Sequence, residues 1–402
     1  MPCPPDNTTT ALGDPIVRAQ STSTDPEQVA ADLAEDLGDV PAAARIVFVS
    51  PGYDLDALAA ALSARFGDAP LLGCTTAGEI GPDGYLPVGG VSAVGLPADD
   101  FSIDPVVIRD LREADLGQIA EAVRPTVERH LADERTLPAW TATGRPPASF
   151  GMLLTDGLSG REEVLVNALN GMLGAIPIGG GSAGDGVDFG ATHVLADGRF
   201  EQNAAVLLLA RTCRPFERFR NQHFVPTETK VVVTEARPDE RLVIEIDGYP
   251  AAVGYAEACG IPLEELDENS FSTHPVVVSI GGEHYVRSVQ KVEDDQSLRF
   301  YCAIEEGLVL TMARGIDMVD KLDQQIEVLV DRLGEIELTL GFDCILRRLE
   351  SQERDLIDDV DRALRALRCA GFATYGEQYD GMHVNQTMTG IAIGQLSRAG
   401  RA

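Results

Sequence analysis

Apolar and polar positions along this chain switch repeatedly between two periods, and the switches mark its elements. Residues 45–50 (RIVFVS) are almost continuously apolar, the pattern of a strand buried on both faces. Residues 54–66 follow with Leu55, Leu58, Leu62 and Phe66 on one helical face behind Asp54, a good N-cap residue. Residues 69–80 (APLLGCTTAGEI) read as a short strand entering a glycine-rich turn, and another apolar run lies at 91–96 (VSAVGL). A shift of 106 residues reproduces the series without a gap. It gives a strand at 149–155, a helix at 160–174, a strand and turn at 175–185 (AIPIGGGSAGD) and an apolar run at 204–210. A third copy is predicted near the end: a strand at 336–343, one long amphipathic helix at 344–369, the turn GFATYGE at 371–377 and a strand at 388–394.

Each copy closes on Gly-x-x-Thr/Ser-x-Gly-Glu/Asp. The residues are Gly73, Thr76, Gly78 and Glu79 in the first, Ser182, Gly184 and Asp185 in the second, and Gly371, Thr374, Gly376 and Glu377 in the third. Glycine lets a backbone approach closely, the hydroxyl can bond a nearby N–H, and the carboxylate can accept from backbone donors. Each turn alone reads first as a strand exit. Facing one another, the three could floor a shared ligand pocket.

Between the second and third copies the pattern changes. Residues 230–247 read as a hairpin around Arg237-Pro238-Asp239-Glu240, followed by a helix near 249–260, strands at 276–280, 285–289 and 298–304, and a helix at 317–334. The expected fold class is α/β: two domains of repeated β-α-β units, the second with added antiparallel hairpins. Residues 1–25, rich in Pro, Thr, Ser and Asp, are expected to be a disordered leader. The N-terminal domain is placed at 26–215 and the C-terminal domain at 221–397, because 211–221 (RTCRPFERFRN) breaks the alternation.

Composition narrows the function. A net charge of −32 disfavours nucleic acid and anionic membranes as partners. No apolar stretch reaches the roughly 18–20 residues a membrane span requires, and no secretory signal is evident, so a cytoplasmic location is expected. Seven scattered cysteines with no CxxC pairing argue against a disulfide framework, a thiolate zinc site and covalent haem attachment. There is no GxxxxGKS/T, HExxH or GxSxG, so no enzyme activity is expected.

The turns GCTTAGEI and GGGSAGD, the hairpin VVVTEARPDERLVIEIDGYPAA, the segment LGFDCILRR and the closing GFATYGEQYDGMHVNQTMTGIAIG resemble the N-terminal and C-terminal FIST domains, over about Val29 to Gly394. RNQHFVPTETK, FDCILRRLE and TYGEQYDGMHVNQT resemble more narrowly the nitric-oxide-sensing branch of that family, called NosP. The resemblance implies a non-covalent b-type haem, nitric oxide as the signal, and a histidine kinase or a diguanylate cyclase or phosphodiesterase regulated in trans. A homo-oligomer is also compatible with it.

A haem iron needs an axial donor, usually a neutral imidazole. His130, His193, His274 and His284 read as surface or turn residues. His223, in NQHFVP, and His383, in GMHVNQT, match histidine-containing motifs of the family and are the alternative candidates for an iron ligand. Cys74 and Cys344 are minor ones, and Tyr375 and Met382 are expected to line the pocket. Two other readings stay open: a FIST sensor of a small metabolite such as an amino acid, without haem, and an enzyme using Glu79, Asp185 or Glu377 as acid–base groups.

Overall fold

In the computed structural model, which describes residues 14–396, the periodic segments become α/β units of one plan. The first comprises β1 (Val17–Ser21), α1 (Pro26–Leu37), β2 (Ala42–Val49), α2 (Leu55–Phe66), β3 (Leu71–Thr75), β4 (Glu79–Gly81), β5 (Gly84–Tyr85) and β6 (Val91–Pro97). The second comprises β7 (Phe101–Arg109), α3 (Leu116–Leu131), α4 (Pro138–Thr143), β8 (Ala148–Thr155), α5 (Glu162–Leu173), β9 (Ile178–Ser182), β10 (Val194–Ala196), β11 (Arg199–Glu201) and β12 (Ala204–Thr212). The third opens with β13 (Phe216–Asn221). It resumes with α8 (Met318–Leu333), β22 (Ile336–Cys344), α9 (Ile345–Glu353), α10 (Ile357–Ala366), β23 (Cys369–Thr374), β24 (Glu377–Tyr379), β25 (Met382–Val384) and β26 (Met388–Gly394). Aspartates start several of these helices: Asp54 accepts from Ala57 N, and Asp317 from Val319 N and Asp320 N.

Inserted between β13 and α8 is an antiparallel body with its own core around Val233, Tyr255 and Phe300. It contains β14 (Phe224–Arg237), β15 (Leu242–Ile246), β16 (Tyr249–Pro250), α6 (Ala251–Cys259), α7 (Glu268–Thr273), β17 (Val276–Ile280), β18 (Glu283–Arg287), β19 (Val289–Val292), β20 (Leu298–Phe300) and β21 (Val309–Gly315). Its strands run in the order β18-β17-β21-β14-β15-β20-β19, with β16 on β15.

The three units are interlocked. Each pairs two parallel strands (β2/β3, β8/β9, β22/β23) and adds its closing strand antiparallel beside them. The small hairpin after each turn leaves its own sheet. β4-β5 extends the third sheet through β23, β10-β11 extends the first through β3, and β24-β25 extends the second through β9. This cyclic exchange covers edges that would otherwise be open. Ile46 and Phe48, Phe150 and Met152, and Phe342 and Phe372, one pair from each sheet, meet in a single core. The Phe48 and Phe372 rings lie 5.0 Å apart.

Three expectations are corrected here. The leader is not unstructured to residue 25: Val17–Ser21 pair with Val91–Gly95, and Ile16 and Ala19 are buried. Residues 1–13 of that segment lie outside the described residues. The helix expected over 344–369 is two helices, broken at Asp355, whose φ is +56°. The gapless 106-residue shift also fails in detail. Gly73, Gly180 and Gly371 hold equivalent places in the parallel pairs, opposite Val47, Leu153 and Gly341, so β2 and β8 match at a shift of 106 whereas β3 and β9 match at 107, one residue being added between them.

Candidate functional site

The three signature turns meet. Ala77 N donates to Ala373 O (2.9 Å) and Ala373 N to Gly78 O (2.6 Å), joining the first and third turns. Ser182 N donates to Gly376 O (2.8 Å) and Tyr375 N to Ser182 O (3.2 Å), joining the third and second. Gly184 N donates to Thr75 O (3.0 Å) and Gly186 N to Thr76 O (3.2 Å), closing the ring. Gly184 is required by this approach, because a Cβ there would lie 2.7 Å from Ala77 N.

The polar side chains of the first and third turns face inward and satisfy one another. Thr76 and Ser50 both donate to Glu79, and Ser50 in turn accepts from Gly89 N at 3.0 Å. Thr374 donates to Glu377, which also accepts from Thr387 Oγ1 at 2.7 Å. Both carboxyls are fully buried. Burial pushes Glu79 up to about 7 and Glu377 up to about 8, overriding the hydroxyl bonds that favour the charged form.

A stability signature follows. The folded state binds these protons more tightly than the unfolded chain, so stability falls as pH rises from about 4.5 through 7 and 8. Glu377→Gln should raise the melting temperature at pH 8, change it little at pH 5, and flatten the profile between them in thermal scans. A profile as steep as that of the unaltered protein would show Glu377 to be ionised throughout.

The second turn is built differently. Val194 pairs with Cys74, the place that Glu79 takes opposite Phe372 and Glu377 opposite Gly181. Asp185 is therefore not the counterpart of those glutamates, and residues 184–193 form an extra loop. Asp185 ties that loop down: its Oδ2 accepts from Gly190 N and Ala191 N, both at 2.7 Å, and its Oδ1 from the Tyr375 hydroxyl. Ser182 receives Gln378 Nε2 at 2.9 Å and leans toward Glu162 at 3.4 Å.

Above the ring of turns lies a cleft of about 490 Å³ between the extra loop, the inserted body and α9. Val187, Phe189, Val289, Ile345, Leu346 and Leu349 make an apolar wall, with Gln290, Tyr301, Glu350, Gln352 and Glu353 around it. A second chamber of about 240 Å³ shares Phe189, Gln290 and Tyr301 and continues to Gly157, Arg241 and Tyr375. Phe189 stands between the two: its ring stacks on Tyr375 at 4.5 Å and lies 6.2 Å from Tyr301. Arg241 closes the second chamber, paired with Glu162 (2.5 Å) and Glu163 (3.0 Å) and donating to Tyr301 O (2.8 Å).

The two histidine candidates sit differently. His223 is fully buried behind Glu350, with both ring nitrogens engaged. Arg347 Nη1 lies 2.8 Å from Nδ1, and Glu350 Oε2 lies 2.8 Å from Nε2. An arginine can only donate, so Nδ1 accepts and the proton sits on Nε2. The chain continues from Arg347 to Asp343 (2.6 Å) and from Glu350 to Arg354 (2.6 Å). Burial holds the His223 ring below its usual pKa despite its bond to Glu350. His383 is buried beside Gly376, and neither ring nitrogen has a partner among the described residues. A Cβ on Gly376 would lie 2.7 Å from its Nε2, so that nitrogen abuts backbone.

Tested against a haem, these donors do not fit. His223 has no free lone pair, and His383 does not line the cleft and has its Nε2 against Gly376. Cys74 and Cys344 are buried, with thiols pushed up by burial. Among the described residues no group of three His, Cys, Asp or Glu side chains is placed to hold a metal ion. Of the expected lining residues, Tyr375 borders the second chamber, whereas Met382 packs on the core of the inserted body. His130, expected at the surface, is buried between Asp104 (2.8 Å) and Ser149 (3.0 Å).

Sequence reasoning missed Phe189, Arg241, Leu346, Leu349, Gln378 and Asn385. The only sequence signal was the run of amides in GEQYDGMHVNQT, polar residues in a segment otherwise patterned as buried strand. No helix among the described residues is long and apolar enough to cross a membrane.

Compared with known families, residues 43–249 match the FIST N domain and residues 251–380 match the FIST C domain. No curated protein matches the chain.

Proposed function

Because the chain belongs to the FIST family, whose domains are sensory modules of signal transduction rather than catalysts, we propose that it is a sensor whose ligand is a small metabolite bound in the cleft above the three turns. One observation carries this reading: the cleft lies where the extra loop, α9 and the inserted body converge, so an occupant touches three parts of the chain at once. Its lining joins apolar residues with Gln290, Tyr301, Glu350 and Gln352, which suits a molecule with an apolar body and a hydrogen-bonding head, an amino acid among them. Binding would favour the arrangement of these parts that holds the ligand best, and a partner protein would read that shift. The turn carboxyls Glu79 and Glu377 serve the scaffold in this reading, since their hydrogen bonds are internal to the turns.

The test is a thermal-shift screen of metabolites on the unaltered protein and on Leu349→Arg. Leu349 lines the cleft and is 36% exposed, so the substitution obstructs the cleft without opening a core. A ligand that stabilises the unaltered protein should lose at least tenfold in affinity in the variant, about 1.4 kcal/mol. A hit that stabilises both equally binds elsewhere and removes the cleft from consideration.

The second reading is a cytoplasmic haem-based sensor of nitric oxide acting on a histidine kinase, diguanylate cyclase or phosphodiesterase. It is supported by the apolar wall and by the sequence stretches around His223 and His383. It requires His223 to leave Arg347 and Glu350, or His383 to turn from Gly376. Hemin titration should then produce a Soret band that shifts with nitric oxide and is lost in only one of His223→Ala and His383→Ala. A protein that stays colourless with hemin sinks this reading.

A further inference from the structure

The charges lining the cleft are of one sign. Glu350 and Glu353 line it, and among the described residues no lysine or arginine does. The extra loop, which supplies Val187 and Phe189, carries Asp185 and Asp188 and no lysine or arginine. Asp185 is committed to Gly190 N, Ala191 N and the Tyr375 hydroxyl. Asp188 and Glu353 are exposed and in no ion pair among the described residues. The cations on and beside α9 are accounted for. Arg347 Nε bonds Asp343 (2.6 Å), and Arg348 turns to Ala77 O (2.7 Å) and lies 4.9 Å over the Tyr85 ring. Arg354 bonds Glu350 (2.6 Å), so it offsets one of the two lining carboxylates and leaves Glu353.

The second chamber does not reverse this balance. Arg241 and Arg299 line it, but Arg241 is held by Glu162 and Glu163, and Arg299 Nε by Glu293 at 2.5 Å. Arg287, which bonds Val286 O and His383 O and no acid, brings the guanidiniums level with those three carboxylates without a surplus. Two aromatic rings, Phe189 and Tyr301, lie 6.2 Å apart and border both spaces, and ring faces attract cations. The net charge of −32 draws cations toward the whole molecule.

We propose that the molecule sensed in the cleft is a cationic amine, an ammonium head on an apolar body, a proposal that rests on the cleft being the ligand site. The head is received by Glu353 and the rings of Phe189 and Tyr301, and the body packs on Ile345, Leu346 and Leu349. An α-amino acid fits less well than the amine left by its decarboxylation. Its carboxylate would meet Glu350 and Glu353 with no lining cation to receive it, and like charges brought together cost binding energy. Glu353 belongs to α9, Phe189 to the extra loop and Tyr301 to the inserted body, so the ammonium group itself joins the three parts that converge on the cleft.

The probe is phenethylamine, compared on the full chain with 2-phenylethanol, its neutral isostere, and with the anion 3-phenylpropanoate. Phenethylamine should raise the melting temperature and, in calorimetric titration, bind roughly tenfold tighter than the alcohol, while the anion does not bind. Added salt should shrink that advantage. Glu353→Gln removes an exposed, unpaired carboxylate and leaves the core untouched. It should erase most of the amine's advantage and leave the alcohol's affinity unchanged. The proposal is overturned if millimolar phenethylamine gives no thermal shift, if the alcohol or the anion binds as tightly as the amine, or if Glu353→Gln keeps the full advantage. Leu349→Arg separates this proposal from the cleft itself. Three probes that bind equally and are all lost in Leu349→Arg would keep the cleft as the ligand site and remove only its preference for an amine. An amine response that survives Leu349→Arg would remove the cleft as well.

Discussion

Gly371→Ala is expected to destabilise the protein by on the order of 4–5 kcal/mol or more, enough to abolish folding in a typical domain. The cause is backbone, not side chain. A Cβ on Gly371 would lie 1.7 Å from Gly341 O and 2.7 Å from Gly341 C on the neighbouring parallel strand, so β22 and β23 would have to separate. The same contact recurs at Gly73, 1.9 Å from Val47 O, and at Gly180, 2.0 Å from Leu153 O. Alanine at either of those positions should be comparably damaging. Gly171→Ala provides the opposite sign. Gly171 lies in α5 with nothing within 4 Å of its Cβ position, and alanine there should stabilise by about 0.5–1 kcal/mol. Denaturant unfolding of soluble Gly371→Ala with an unchanged midpoint would show that the strands yield without cost.

Arg214→Met is expected to cost about 3–5 kcal/mol, because it strands two carboxylates. Arg214 is buried and donates to Asp100 Oδ2 through Nε (2.9 Å) and Nη2 (2.5 Å), to Asp14 O (2.7 Å), and to Glu337. Glu337 also accepts from Ile16 N (2.9 Å), so this one guanidinium ties all three units together. Burial already raises Asp100 above the ordinary carboxylate range against the pull of Arg214. Without the arginine, Asp100 would take up a proton more readily in the folded state. The deficit should therefore be larger at pH 8 than at pH 5, measured by denaturant unfolding at each pH. Arg109, 38% exposed and paired with Glu201 and Asp197, is the control, and Arg109→Met should cost at most about 1 kcal/mol. Equal losses for the two variants would mean that the buried network adds nothing beyond a surface pair.

Much of the local structure was legible in the chain. Runs such as RIVFVS and the leucine spacing after Asp54 predicted a strand and a capped helix where β2 and α2 lie, and the hairpin around Arg237-Pro238-Asp239-Glu240 is present. The third copy was also visible, although the break at Asp355 was not, because its residues keep helical spacing on both sides. The site was far less legible. Phe189 sits in an irregular loop, and the aromatic stack it forms joins residues 186 positions apart. His223 and His383 look alike as isolated histidines. One proves bonded at both nitrogens, and the other has no partner at either among the described residues.

The sequence by itself determined the α/β class, the repeating units and the turn residues, since periodicity, capping and glycine placement act over a few neighbouring residues. Only the tertiary structure decided that the hairpins are exchanged cyclically, that the three turns bond into one ring, and that a cleft opens above them. Those features depend on hydrogen bonds and packing between residues tens to hundreds of positions apart. A local pattern carries no record of which distant strand edge its backbone will meet.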